Sequence, residues 1–398
     1  MVHIISQGGI ALLTNIHQMI DDLYPEMVEM RRYLHQYPEL SFKEYKTAQY
    51  IADFYQKLDI PFKTKVGGNG VVATLKGGKP GKTIALRADF DGLPIQDEKD
   101  VPYRSKIPGV MHACGHDGHT TTLLTLAKVM KKFQADLPGT IVFLHQHAEE
   151  LSPGGAKPMV EAGVLKEVDA VFGTHLWATV PVGVLQTSKG HFMAGADRFE
   201  ILIQGQGGHG AYPHETKDAI LIGSELVTQL QKIVSRRLDP VETAVITVGV
   251  FEAGNTFNII ADRAKLVGTA RHFNPEVQAK IIAEMEAIIK GVCASNHATY
   301  TFNYHKGYPP LVNHAKEAEL VLNAGKKIQD IHTIEEIAPA MGGEDFAYYL
   351  LEKPGAYFFT GAQKEGNHYP HHHPKFDIDE RALPIAAKTL IQAYFDYQ

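Results

Sequence analysis

The sequence predicts an α/β chain, a mostly parallel sheet with helices, interrupted by an inserted ferredoxin-like α+β unit. Three observations predict it. In the first half, short continuous apolar runs alternate with helical stripes, as strands buried on both faces require. Around Thr187 the pattern changes to apolar–polar alternation, the signature of a half-buried strand. After His305 the continuous apolar pattern returns, so the alternating stretch lies inside the other. The expected division is 1–187 with 303–398 for the outer domain and 188–302 for the insertion. A length of 398 residues suits two or three units of roughly 100–200 residues each.

The elements follow in order. Ile16, Met19, Ile20, Leu23, Met27, Met30 and Leu34 form one helical stripe, which Pro25 should kink or start afresh. A second helix is expected from Ser41 through Tyr45, Ala48, Ile51 and Phe54. Gly70–Leu75 and Thr83–Ala88 read as strands, Thr120–Phe133 as a helix, then Thr140–His145 and Val168–Gly173 as strands. In the insertion, Phe199, Ile201 and Ile203 alternate with polar residues. A helix follows over Lys217–Arg236, then strands Thr243–Phe251 and Arg263–His272, a helix over Pro275–Val292 and a strand Thr299–Tyr304. That β-α-β-β-α-β order is the ferredoxin-like one. A strand over Ala356–Gly361 and a helix after Asp379 complete the outer domain.

With 44% apolar and 21% charged residues, near the globular average, disorder, collagen and coiled coil are disfavoured. A net charge of -6 argues against nucleic-acid and anionic-membrane partners. No apolar stretch approaches the ~18 residues of a membrane span. Cys114 and Cys293 cannot make a disulfide framework, and the opening MVHIISQGGIALL lacks a basic leader, so a cytoplasmic setting is expected. Histidine is abundant, at 21 residues, and it is the side chain most used for metals and proton transfer near neutral pH.

Several clusters can carry chemistry. In MHACGHDGHT, Cys114 and His116 would leave an extended segment on the same face and form one edge of a metal site. A buried cysteine beside capping residues is the plainer alternative. In HQHAEELSPGG, Glu149 and Glu150 close a predicted strand and point different ways. One can bind a metal while the other takes a proton from water. A solvated acidic turn has the same pattern, but strand carboxyl ends are where open α/β sheets build sites. His175 ends the next predicted strand beside the lone tryptophan, as a ligand or a core residue. In HYPHHHPKF, His371, His372 and His373 precede Pro374, and at most one or two could reach a single centre. Gly205, Gly207 and Gly210 spell G-x-G-x-x-G, yet Tyr212 and Pro213 stand before the helix, so the glycines are read as a loop exposing His209. Arg271, near a strand end, could clamp a carboxylate.

Taken in order, RADFDGLPI, MHACGHDGHT, HAEE with PGGA, GTHLW, GGHGAYPH, NIIAD, GTAR, MGGEDFA and HHPKFDIDE resemble the M20 metallopeptidase family, in its amidohydrolase branch of aminoacylase-, hippurate-hydrolase- and indole-acetyl-amino-acid-hydrolase-like enzymes. The resemblance runs from about Arg31 to the C-terminal helix. It implies a catalytic domain with two divalent metal ions per subunit, Mn2+ or Zn2+, and an inserted lid and dimerisation domain. By motif, the ligands are Cys114, His116, Glu150, His175 and His372, the last chosen as the histidine two residues before the proline. Cys114 would bridge both metals, Asp89 would support the centre, and Glu149 would be the general base. His209, from a partner subunit's lid, would stabilise the tetrahedral oxyanion. Asn258 and Arg271 would hold the substrate carboxylate, and Gly342 and Gly343 would let backbone approach the substrate.

The resemblance thus implies hydrolysis of small N-acyl amino acids by a homodimer or dimer-based oligomer, with dipeptidase or carboxypeptidase activity as the alternative. A cysteine hydrolase using Cys114 with His112 or His116, and a non-catalytic binding protein, are the competing classes. Two positions depart from the family pattern: His147 stands where proline is usual, and so does Ala261. Both leave the ligands and base intact and bear on acyl specificity.

Overall fold

A computed structural model describes residues 7–398. The segment MVHIIS, part of the opening read above for a leader, lies outside the described residues. The chain divides into two units. The larger takes the chain up to Phe192, Leu311–Pro339 and Asp345–Gln398; the smaller takes Met193–Pro310 and Ala340–Glu344. These breaks lie a few residues beyond 187/188 and 302/303, and the smaller unit also gains a short later segment.

The larger unit is built on an eight-stranded sheet in the order Phe62–Val66, Gly70–Lys76, Pro138–Gln146, Lys79–Asp89, Ala170–Pro181, Gly355–Gln363, Val184–Thr187, Thr333–Glu336. Its centre is parallel: Lys79–Asp89 pairs in parallel with both Pro138–Gln146 and Ala170–Pro181, which pairs in parallel with Gly355–Gln363. Those strands are apolar without alternation because both faces are covered. On one face Ile84, Leu86, Ile141, Phe143, Phe172 and Phe358 are buried in one core with Leu123, Leu126 and Met130 of the helix His116–Lys132. On the other, Ala85, Val142 and Leu144 are buried too. Burying one such side chain contributes ~1.5–3 kcal/mol before entropy is counted.

Several expected boundaries move. The first apolar stripe is two helices, Gln7–Asp22 and Tyr24–Gln36, because Pro25 sits in the first turn of the second, where its missing N–H costs nothing. The next helix starts at Tyr45, not Ser41. The helix expected from Thr120 begins at His116. Gly115, at φ 91°, makes the left-handed turn into it. The strand expected to end at Gly173 runs on to Pro181, so His175 lies within it.

The smaller unit has a four-stranded antiparallel sheet, Ala244–Ala253, Arg263–His272, Gly195–Gln204, Thr299–Tyr308. In chain order this is 2-3-1-4, and with its two helices it is the ferredoxin-like arrangement. Ala219–Lys232 buries Ile222, Leu226 and Leu230, and Pro275–Ser295 buries Ile281, Met285 and Ile289, against Phe199, Ile201 and Leu266. Asp218 and Asn274 cap these helices, each accepting from first-turn N–H groups.

Candidate metal centre

Three neighbouring strands bring the larger unit's candidates together. Asp89 is the last residue of its strand and pairs in register with Gln146, the last of the next. His175 lies on the adjoining strand. Cys114 and His116 flank the left-handed Gly115 at a helix start, so they converge through a turn and not through an extended segment. Glu149 and Glu150 lie just beyond their strand, which ends at Gln146, after a sharp reversal at Ala148 (φ 52°).

The distances between ligand atoms are those of donors around common centres. Cys114 Sγ lies 3.3 Å from His175 Nε2. His116 Nε2 lies 3.8 Å from Glu150 Oε1 and 3.9 Å from Glu149 Oε2, and His372 Nε2 lies 3.2 Å from Glu150 Oε1. Donors about 2.0–2.3 Å from one tetrahedral ion stand roughly 3.3–3.8 Å apart. Two sets share the thiol, Cys114–His116–His175 and Cys114–Glu150–His372, each with ligand atoms within 4.8 Å of one another.

Hydrogen bonds leave these lone pairs facing inward. His116 Nδ1 lies 3.1 Å from both the backbone oxygen and the carboxylate of Asp91, and donating there exposes Nε2. That Nε2 is buried and has no hydrogen-bond partner, which costs free energy unless something positive meets it, and the buried Glu150 Oε1 faces it and the His372 ring. His175 Nδ1 faces the Leu176 carbonyl at 3.1 Å, so its Nε2 lone pair looks toward Cys114. These residues therefore fit divalent cations. His119 does not join them as a ligand: Leu176 N–H donates to its Nε2, and its Nδ1 lies 2.6 Å from Asp89.

Electrostatics point the same way. Burial pushes the Cys114 thiol well up, and Glu150, Glu149 and Asp89 push it further. Burial alone would lower His116, but Asp89, Asp91 and Glu150 outweigh it and lift the group to about 10. The cluster carries surplus negative charge, which a proton on His116 or a cation beside it can balance.

Within the smaller unit, His209 is exposed and paired with Ile259 in a two-residue ladder. Ala211 N–H donates to its Nδ1 at 3.1 Å, so the neutral ring carries its proton on Nε2. Asn258 is exposed close by, its carbonyl accepting from Gly210 N–H at 2.9 Å. Arg271 is half-buried and donates to Thr269 and the Ala270 carbonyl. Gly342 is exposed, whereas at Gly343 a Cβ would come within 2.8 Å of Ala196 Cβ, so close packing alone demands glycine there. Ala261 is buried in the unit's core. In the larger unit, His147 is buried with its ring edge-on to Phe42.

A profile of the peptidase family M20/M25/M40 matches residues 85–395. The chain belongs to that family. YhaA of Bacillus subtilis (strain 168), an amidohydrolase by name, is 54% identical over 388 residues, covering 97% of this chain and 98% of its own. The N-acyl-L-amino acid amidohydrolase of Geobacillus stearothermophilus is 46% identical over 304 residues, covering 75% and 81%. Among solved structures, the Bacillus subtilis YXEP protein, described as a dinuclear metal binding peptidase from the M20 family, superposes with a TM-score of 0.80 at 33% identity, covering 94% and 98%.

Sequence reasoning did not single out Arg87, Asp91 or Glu44. Arg87 donates to Asp89, Gln146 and Asp345, all buried, and so fixes the ends of two strands. Asp91 holds His116 and also accepts from Glu150 N–H at 3.0 Å. Glu44, buried, accepts from Phe42 N–H, Ala148 N–H and Asn69, bracing two residues with left-handed backbone. Both acids lie in motifs visible in the sequence, PELSFKE and RADFDG, but a hydrogen bond across tens of residues has no spacing signature.

Proposed function

We propose that this chain is a dinuclear metal-dependent amidohydrolase that splits N-acyl amino acids into a carboxylate and a free amino acid. The observation that carries the reading is the pair of donor sets sharing Cys114, whose thiolate has lone pairs for two cations. Cys114, His116, Glu150, His175 and His372 would hold two divalent ions. Soft thiolate and imidazole favour zinc, while the carboxylate allows manganese. Such ions supply water activation at neutral pH and polarisation of the scissile carbonyl. Asp89 supports the donors from behind.

Glu149, buried at the edge of the cluster, takes the proton of the attacking water and returns it to the leaving amine. His209, with its proton on Nε2, would donate to the developing oxyanion from a partner subunit's lid. Asn258 and Arg271 would bind the α-carboxylate, with Gly342 and Gly343 lining its approach. The smaller unit would serve as lid and dimerisation domain, in a cytoplasmic homodimer or dimer-based oligomer. No helix of the described residues is long and apolar enough to cross a membrane.

A cysteine-nucleophile reading is weaker because such thiols need an electropositive setting, and Cys114 has carboxylates around it. The test is a panel of N-acetyl, N-benzoyl and N-succinyl amino acids and dipeptides, assayed with manganese or zinc and after chelation. Turnover of N-acyl amino acids that chelation abolishes is the expected result. Preference for dipeptides would move the reading to a peptidase, and full activity without metal would end it.

A further inference from the structure

We infer that His371 is a positioning residue that donates a hydrogen bond from Nδ1 to the Cys114 sulfur, and so tunes the thiolate as a ligand. This rests on the reading of Cys114 as a metal ligand given above.

Of the three consecutive histidines, 371 to 373, the sequence allows at most one or two to reach a centre. Two of them reach the cluster. His372 has left-handed backbone (φ 65°), and its N–H is held by the Ala113 carbonyl at 2.9 Å. That reversal sends consecutive side chains to different partners, His372 toward Glu150 and His371 toward Cys114. The His371 ring lies against Trp177, His175 and Phe376, with centroids 4.6, 5.0 and 5.0 Å away.

The tautomer follows from the backbone. Ala178 N–H points at His371 Nε2 from 3.1 Å, so Nε2 must offer a lone pair, because a proton there would face another proton. A neutral imidazole has one N–H, which must then sit on Nδ1, 3.7 Å from Cys114 Sγ. An Nδ1 that carries hydrogen has no lone pair for a cation. That hydrogen faces Cys114, at its sulfur and at its backbone carbonyl, so His371 is a donor to this residue and not a further ligand, and the sulfur band tests which of the two acceptors it serves. A hydrogen bond to a thiolate lowers the energy of its lone pairs and weakens its charge donation to bound cations. Among carboxylates, Cys114 gains in His371 a neighbour with a positive edge.

Two substitutions separate this role from packing. His371→Gln can keep an acceptor for Ala178 N–H while losing the donor at the Nδ1 position. His371→Asn keeps a donor there and loses the acceptor. Each protein is loaded with cobalt(II), and the sulfur-to-cobalt charge-transfer band is recorded with metal content by elemental analysis. The inference expects the band of His371→Gln at lower energy than in the unsubstituted protein, that of His371→Asn near its original place, and unchanged metal content. An unmoved band in His371→Gln overturns it, as does a shift in His371→Asn alone or an equal shift in both. Loss of a metal ion from His371→Gln would make His371 a ligand and overturns it too. No sulfur band in the unsubstituted protein would remove Cys114 as a ligand, a distinct failure that takes this inference with it. Should His371→Gln not fold, nitrogen-15 shifts of His371 in the unsubstituted protein decide the matter: Nδ1–H supports the inference and Nε2–H overturns it.

Discussion

The larger unit holds its candidate carboxylates in buried polar networks, whereas the smaller one leaves His209 and Asn258 exposed and Arg271 half-buried. Arg31, with no exposure, is held by Asp117, Asp377 and Glu380, and Arg87 by Asp89 and Asp345. Inside that scaffold, His116 Nε2 stays buried without a hydrogen bond. In the smaller unit the buried Asp197 is saturated by His272, Gln278, Tyr304 and Gly307 N–H, while His209 and Asn258 face outward. A buried and unsatisfied group marks the candidate metal centre, whose candidate donors all come from one unit. An exposed histidine with a fixed tautomer marks a donor that acquires a task only from what it meets.

The largest expected effect tests the first half of that contrast. Glu149→Gln should lower kcat by about 10²–10⁴-fold, the range for loss of a general acid–base, with metal content unchanged. Loss of metal instead would make Glu149 a ligand. His209→Ala tests the other half. It should lower kcat by roughly 10²–10³-fold, as for an oxyanion donor, and leave the melting temperature in place because the side chain is exposed. A fall in stability without a fall in kcat would reduce His209 to a structural role. Arg271→Ala should act on KM, by roughly ten- to a hundredfold from the loss of a charge-assisted hydrogen bond. An unchanged KM would take the carboxylate contact away from it.

The same contrast explains what could be read from sequence. Five of the eight strands in the larger unit's sheet were legible because both-face burial writes continuous apolar runs, whereas the short Phe62–Val66, Val184–Thr187 and Thr333–Glu336 went unread. Those of the smaller unit's four-stranded sheet were legible because one wet face writes alternation. Helix starts were less legible. His116 opens its helix only because Gly115 turns left-handed, and a histidine followed by aspartate and glycine carries no helical period. Cys114, His116, Glu149 and Glu150 stood out by local adjacency. Asp91, Arg87 and Glu44 did not, since each acts through partners distant in the chain and any acid or arginine in a motif has the same local pattern. The histidine run hid its roles for a third reason: which ring nitrogen carries hydrogen depends on Ala178, far away in sequence.

The smallest effect is on stability, and it probes the buried network directly. Asp377 accepts from Arg31, Tyr103 and Lys364. Burial would raise its carboxyl, but Arg31 and the hydrogen bonds from Lys364 and Tyr103 outweigh that and hold it well below the usual range. A carboxyl depressed in the folded state is stabilising above its unfolded pKa of about 3.9, and that contribution is lost as pH falls toward the folded value. Asp377→Asn should therefore unfold at lower urea concentration at pH 7, by on the order of 2 kcal/mol. Below about pH 4 the gap between the two proteins should narrow, because the wild-type carboxylate begins to bind its proton in the unfolded chain first. Urea titrations of the metal-free proteins at pH 7 and pH 3, followed by circular dichroism, measure it. A gap that stays constant between those values would mean that Asp377 stabilises by shape and hydrogen bonding alone, and that the larger unit's buried charges do not set its acid limit.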